Sequence, residues 1–183
     1  MVVAPKPPRA RGTGFSIVEL MTTIAILALL LGFAIPSFQE FIVNYRTSTQ
    51  TNNLLADLAF ARTEAVKFAR PVQVVADAGG WDAGWVVGAD INGDGAVAGA
   101  DEVFRSQLAA PDGTTMNAVD AGGTAVDTVV FSPTGEKAAP ATNVEFSVCR
   151  PDGNLTKSRA VRLTAVGRAQ AQQGFSGFTV DCS

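Results

Sequence analysis

From Phe15 to Phe38 the chain reads FSIVELMTTIAILALLLGFAIPSF, a run of 24 residues whose single charge is Glu19. At about 1.5 Å of rise per residue this run crosses a hydrocarbon core of roughly 30 Å, so a transmembrane helix is predicted. Pro36 lies inside it. Its missing N–H and its ring crowd the preceding turn, which predicts a kink or local unwinding near Ala34 to Ser37. Beyond Phe38 the pattern becomes two-faced. Phe38, Phe41, Ile42 and Tyr45 are followed, after a polar interval, by Leu54, Leu55, Leu58, Ala59, Ala65 and Val66. The later set has the i, i+3, i+4 spacing of an amphipathic helix, which predicts that the helix continues over 39–70. The expected packing side is Leu55, Leu58, Ala59 and Val66, with Asp57, Glu64 and Lys67 in water. Pro71 stops the helix.

After Pro71 short β-type runs alternate with Gly, Pro, Asp and Asn breaks, and no further amphipathic helix of useful length follows. The expected strands are Val72–Val75, Trp85–Ala89, Val103–Arg105, Thr128–Phe131, Glu145–Val148, Ala160–Val166 and Phe178–Asp181. In the sixth, Val161, Leu163 and Ala165 share one face and Arg162 and Thr164 the other, the alternation of a half-buried strand. Trp81 and Trp85 are expected as core or rim aromatics. The predicted architecture is α+β: a long N-terminal helix packed on a small antiparallel β domain, 71–183.

Charge gives this layout a direction. Lys6, Arg9 and Arg11 precede the apolar run without an acid, whereas the chain after Phe38 carries 11 basic and 16 acidic side chains. The positive-inside rule keeps residues 1–14 cytoplasmic and places the carboxy-terminal bulk on the far side of the membrane, with the apolar run in contact with the membrane lipids. The acidic balance disfavours a general nucleic-acid-coating role. There is no histidine, which removes the commonest general base and imidazole metal sites. No GxSxG, Walker loop, HExxH or paired-cysteine metal spacing occurs, so a tethered enzyme is the weakest functional class. The two cysteines, Cys149 and Cys182, are spaced for neither zinc nor redox catalysis. In an exported domain they read as a structural disulfide, with two free buried thiols as the alternative.

Glu19 needs a reason to exist. A carboxylate within an apolar helix costs on the order of 2.5–3.5 kcal/mol to insert unless it stays wet near the headgroups or finds a partner. The residues around it, Gly14-Phe15-Ser16-Ile17-Val18-Glu19-Leu20, resemble the prepilin signature. That resemblance implies a cytoplasmic leader, 1–14, removed after Gly14 by a prepilin peptidase that also N-methylates Phe15. It further implies that the Phe15 amine of one subunit pairs with Glu19 of a neighbour during filament assembly. The following stretch, above all LAFARTEAVK and its ending in RPV, resembles the GspH/FimT family of minor pilins and pseudopilins. With the signature it covers about the first 75 residues. The family implies a type IV pilin-like fold and a non-enzymatic subunit that assembles with other pilins in a type II secretion or type IV pilus filament, with no required cofactor.

Two further patterns carry sharper expectations. Asp90, Asn92, Asp94 and Asp101, with Gly95 at the sixth place, have the ligand spacing of a calcium loop, and the alternative is a turn built from turn-forming residues. Arg150, Lys157, Arg159, Arg162 and Arg168 cluster in sequence around a single acid, Asp152. In the FimT branch, linked to DNA uptake, the carboxy-terminal motif resembles Gly-Arg-x-Arg. Here it reads Gly167-Arg168-Ala169-Gln170, without the second arginine. DNA binding through Arg159, Arg162 and Arg168 is therefore the secondary reading, against solvated charges that protect a strand edge.

Overall fold

The computed structural model describes residues 14–93, 97, 102–111, 113–180 and 182. Helix α1 spans Ile17–Phe68 and remains α-helical through Ala34 to Ser37, so Pro36 does not unwind it. The chain divides into two units, one ending at Glu40 and the other beginning at Phe41.

In the first unit the apolar run is exposed along its whole length, Ile17 by 79% and Phe33 by 80%. The hydroxyls of Thr22 and Thr23 donate to the carbonyls of Glu19 and Leu20, at 3.0 and 2.8 Å, so neither needs water in an apolar setting.

Among the described residues the second unit holds nine strands: β1 Val72–Asp77, β2 Gly80–Gly88, β3 Val103–Leu108, β4 Thr115–Asp120, β5 Thr128–Phe131, β6 Lys137–Ala139, β7 Val144–Cys149, β8 Arg159–Leu163 and β9 Ala169–Gln173. They form two antiparallel sheets, ordered β3-β2-β1-β5-β6 and β4-β7-β8-β9. The helix stripe that packs into this unit is Leu54, Leu58, Ala61 and Ala65, all essentially inaccessible. Ala59 and Val66 are instead exposed and Leu55 is half-buried, which turns the expected packing face toward the preceding residues.

Asp57 sits on the buried side, contrary to the expectation that it is solvated. Its Oδ2 accepts the indole N–H of Trp85 at 3.0 Å, and its Oδ1 accepts Arg105 at the same distance. Arg105 in turn lies 4.0 Å above the Phe60 ring. A charged residue is thus the polar bolt between helix and first sheet. Trp81 completes the core, donating to the Val126 carbonyl at 2.6 Å and meeting Phe146 edge-on with centroids 5.0 Å apart.

Six of the seven expected strand positions are occupied. The seventh is not: Phe178–Val180 is irregular, and Asp181 lies outside the described residues. The sixth ends at Leu163, with Ala165 and Val166 exposed in the turn that follows. Strands β4, β6 and β9 were not expected. Cys149 and Cys182 are disulfide-bonded with their Cα atoms 5.7 Å apart, which joins the end of β7 to the irregular carboxy-terminal tail. A loop of this length contributes roughly 3–4 kcal/mol on the chain-entropy account.

Candidate functional site

Gly14 and Phe15 precede the helix outside any regular element, and both are exposed. Ser16 caps it: the Ser16 Oγ accepts the Glu19 N–H at 3.2 Å. Ser16-x-x-Glu19 is the spacing of a capping box. Glu19 therefore occupies the first helical turn, where the partial positive charge of the helix end favours a carboxylate. Its side chain is exposed. Both features reduce the cost of a lone charge at the head of an apolar helix, and both leave its oxygens reachable by a neighbouring molecule.

The basic residues clustered in the sequence do not share a face. Arg150 is buried and holds Asp152 through Nε at 2.9 Å and Nη2 at 2.6 Å, while its Nη1 donates to Asn44 Oδ1. The Arg150 guanidinium lowers the Asp152 carboxyl to about 2. Arg162 is spent on Glu145, whose Oε1 takes Nε at 3.0 Å and Nη2 at 2.8 Å. It also donates to the Gly177 carbonyl and covers the Phe178 ring at 4.3 Å. Burial pushes Glu145 up, but the N–H groups of Thr179 and Val180 and the Arg162 charge outweigh it and hold the carboxyl below its ordinary range. Glu145, which sequence patterning placed simply in a strand, is thus the clasp for the tail. Arg159 donates to Ser48 Oγ at 3.2 Å. Arg168 is exposed; its backbone N–H and carbonyl bond to Thr164, and its guanidinium has no hydrogen-bonding partner among the described residues.

Of the proposed calcium ligands, Asp94 and Asp101 lie outside the described residues. Asp90 Oδ1 accepts the Gly93 N–H at 2.7 Å, a turn-forming bond. The buried carboxylate of Glu102 closes the loop base by accepting the N–H groups of Ile91 and Asn92 at 3.2 and 3.1 Å. The described portion is therefore built as a turn, and no three acidic, cysteine or histidine side chains converge among the described residues.

A groove of about 870 Å³ runs between the exposed flank of α1 and the turn joining β8 to β9. Leu55, Ala59, Val66 and Ala169 give it an apolar lining, and Arg62, Lys67 and Arg168 are its cations. Arg62 Nη1 donates to the Gly167 carbonyl at 3.3 Å across one end. Gly167 has φ near 77°, and a Cβ there would stand 2.7 Å from the Gly135 carbonyl oxygen. The glycine of the arginine motif is accordingly required by the backbone.

The sequence matches the family described as type II transport protein GspH over residues 50–167, nearly two thirds of the chain. The chain belongs to this family. With it come the minor pseudopilins and pilins, whose family and fold are those of structural filament subunits. The solved structures agree in fold: the type IV minor pilin FimU of Pseudomonas aeruginosa strain PAO1 is similar in two crystal forms. One is 23% identical with a TM-score of 0.58, covering 72% of this chain and 92% of FimU. The other is 23% identical with a TM-score of 0.53, covering 68% and 91%. No curated protein matches the sequence.

Set in the GspH family, the matched segment contains the Asp57–Trp85–Arg105 bolt, most of both sheets and all of the groove lining except Arg168 and Ala169. Sequence reasoning missed the groove because its floor consists of the very apolar residues it had assigned to the interior. The exposed Ala59 and Val66, beyond what the core stripe uses, are the signal that could have found it.

Proposed function

We propose that this GspH-family chain is cut after Gly14, N-methylated at Phe15, held in the bacterial inner membrane by residues 15–38 with 71–183 on the far side, and drawn from there into a filament of a type II secretion system or type IV pilus. The observation that carries the reading is the apolar part of the helix, residues 17–38, exposed along its whole length, with one exposed carboxylate in its first turn. In the membrane lipid covers that helix, and in a filament the helices of other pilins replace the lipid. Cleavage gives Phe15 a cationic amine, and the Glu19 carboxylate of an adjacent subunit is its partner. The pair offsets a charge that is costly alone and sets the axial register.

The test separates processing from assembly. Glu19→Ala should still lose its leader, seen as the normal mobility shift, and should be depleted at least about ten-fold from sheared filaments. Normal incorporation of the processed variant would refute the pairing. Loss of secretion, as against loss of twitching or transformation, in a deletion strain assigns the machine.

A further inference from the structure

Strand β9 is an unprotected sheet edge. Among the described residues the other three edges are blunted: β3 breaks register where it pairs with Val87 and Gly88 of β2 and carries the charged Arg105, β6 is three residues long and runs into Pro140, and β4 is bridged by Ala125. Such devices prevent a sheet from accepting another strand. Strand β9 reads Ala169-Gln170-Ala171-Gln172-Gln173, regular against β8, exposed from Gln170 onward, without charge or proline. The ladder phase follows from two flanking bonds, Thr164 N–H to the Arg168 carbonyl at 3.0 Å and Gly174 N–H to the Ser158 carbonyl at 2.8 Å. Paired residues alternate between exchanging both bonds and exchanging none. Gln170 and Gln172 therefore bond to β8, and the N–H and C=O groups of Ala169, Ala171 and Gln173 point away from it.

The side chains of Ala169 and Ala171 share a face, and that face borders α1. Ala169 lines the groove with Leu55, Ala59 and Val66, and Ala171 lies beside Ser48, Thr51 and Asn52. A strand added to β9 would place every second side chain over the exposed helix flank. Charge then selects the strand. Among the described residues no acid lines the groove, and Lys67 is paired with Glu64 at 3.2 Å, leaving the Arg62 and Arg168 guanidiniums without a carboxylate among the described residues. This concentration of positive charge stands on an otherwise acidic chain.

We propose that the outer edge of β9 and the adjoining groove form a strand-addition site for an extended, carboxylate-bearing segment of a neighbouring filament subunit. The segment runs antiparallel to β9, with apolar side chains over Leu55, Ala59 and Val66 and a carboxylate at Arg62 and Arg168. Backbone pairing supplies the affinity, and the groove and guanidiniums supply the selection. Only the identity of the donor, a filament subunit, rests on the function proposed above.

The probe is a blocked synthetic peptide of about seven residues, with a glutamate at each end and valine alternating with threonine between them. Binding to the full chain in neutral detergent is read by fluorescence anisotropy. The peptide should bind, and its lysine-for-glutamate counterpart should bind at least about ten-fold more weakly. N-methylation of the valine amides, which face β9 when the valines face the groove, should abolish binding, whereas N-methylation of the threonine amides should spare it. Ala171→Pro removes an outward N–H that β8 does not use and should likewise abolish binding, while Gln170→Ala should not. Equal affinity for the glutamate and lysine peptides, indifference to valine N-methylation, or no binding up to about millimolar peptide would overturn the proposal. So would displacement of the peptide by duplex DNA, which would make the site a phosphate-binding patch. Because no filament is involved, failure here leaves the assembly reading intact, and an incorporated Glu19→Ala subunit leaves this one intact.

Discussion

Asp57 shows what single residues contribute that patterning does not reveal. Between Leu54 and Leu58 on the helix, an aspartate reads as the polar side of an amphipathic turn. The structure puts it against the first sheet because Trp85, also in the core, carries an N–H that must be satisfied. Truncation to alanine orphans that N–H and releases Arg105. Asp57→Ala should cost about 1–3 kcal/mol in denaturant unfolding. Asp57→Asn, which keeps an acceptor for the indole, should cost clearly less. Arg105 is half exposed, so its ion pair alone contributes little. Equal losses for the two variants would place the stabilisation in the charge instead of the hydrogen bond.

At the scale of elements, legibility followed hydrophobic content. Strands β1, β2, β5, β7 and β8 carry apolar side chains that the core buries, and their runs were visible. Strand β9, an alanine and glutamine run, and the three-residue β6 offer no apolar alternation, so only pairing with neighbours defines them. The opposite error occurred at Phe178, which has strand-like neighbours but packs under Arg162 while its segment is held by Glu145. That clasp predicts a pH dependence. Glu145 and Asp152 both lie below their ordinary values in the folded chain, so each contributes stability that is present above the ordinary carboxylate range and lost as pH falls through the folded value. For Asp152 the window runs from the unshifted 3.8 down to about 2. Melting temperature should therefore drop as pH falls through this range, and the drop should be shallower in Glu145→Gln and in Asp152→Asn. Parallel acid limbs in all three proteins would exclude these carboxylates as its source.

On the scale of the whole molecule, the two units answer to different solvents. Every large apolar side chain from Ile17 to Phe38 is exposed, a surface far beyond what a soluble monomer carries. The second unit builds its core from Leu54, Leu58, Trp81, Trp85, Phe131 and Phe146, all of which follow Phe41, and adds its own disulfide. Its stability should accordingly owe nothing to the membrane segment. A chain beginning at Phe41 and produced in an oxidising compartment should leave the membrane fraction entirely. It should melt within about 2 °C of the same unit in the full chain, because a larger shift would correspond to several tenths of a kcal/mol lost at the junction. It should also fail to enter filaments, since it lacks both Phe15 and Glu19. A soluble chain that melts far lower would show that the folded domain leans on the anchor, and the anchor would then be part of the fold as well as the means of assembly.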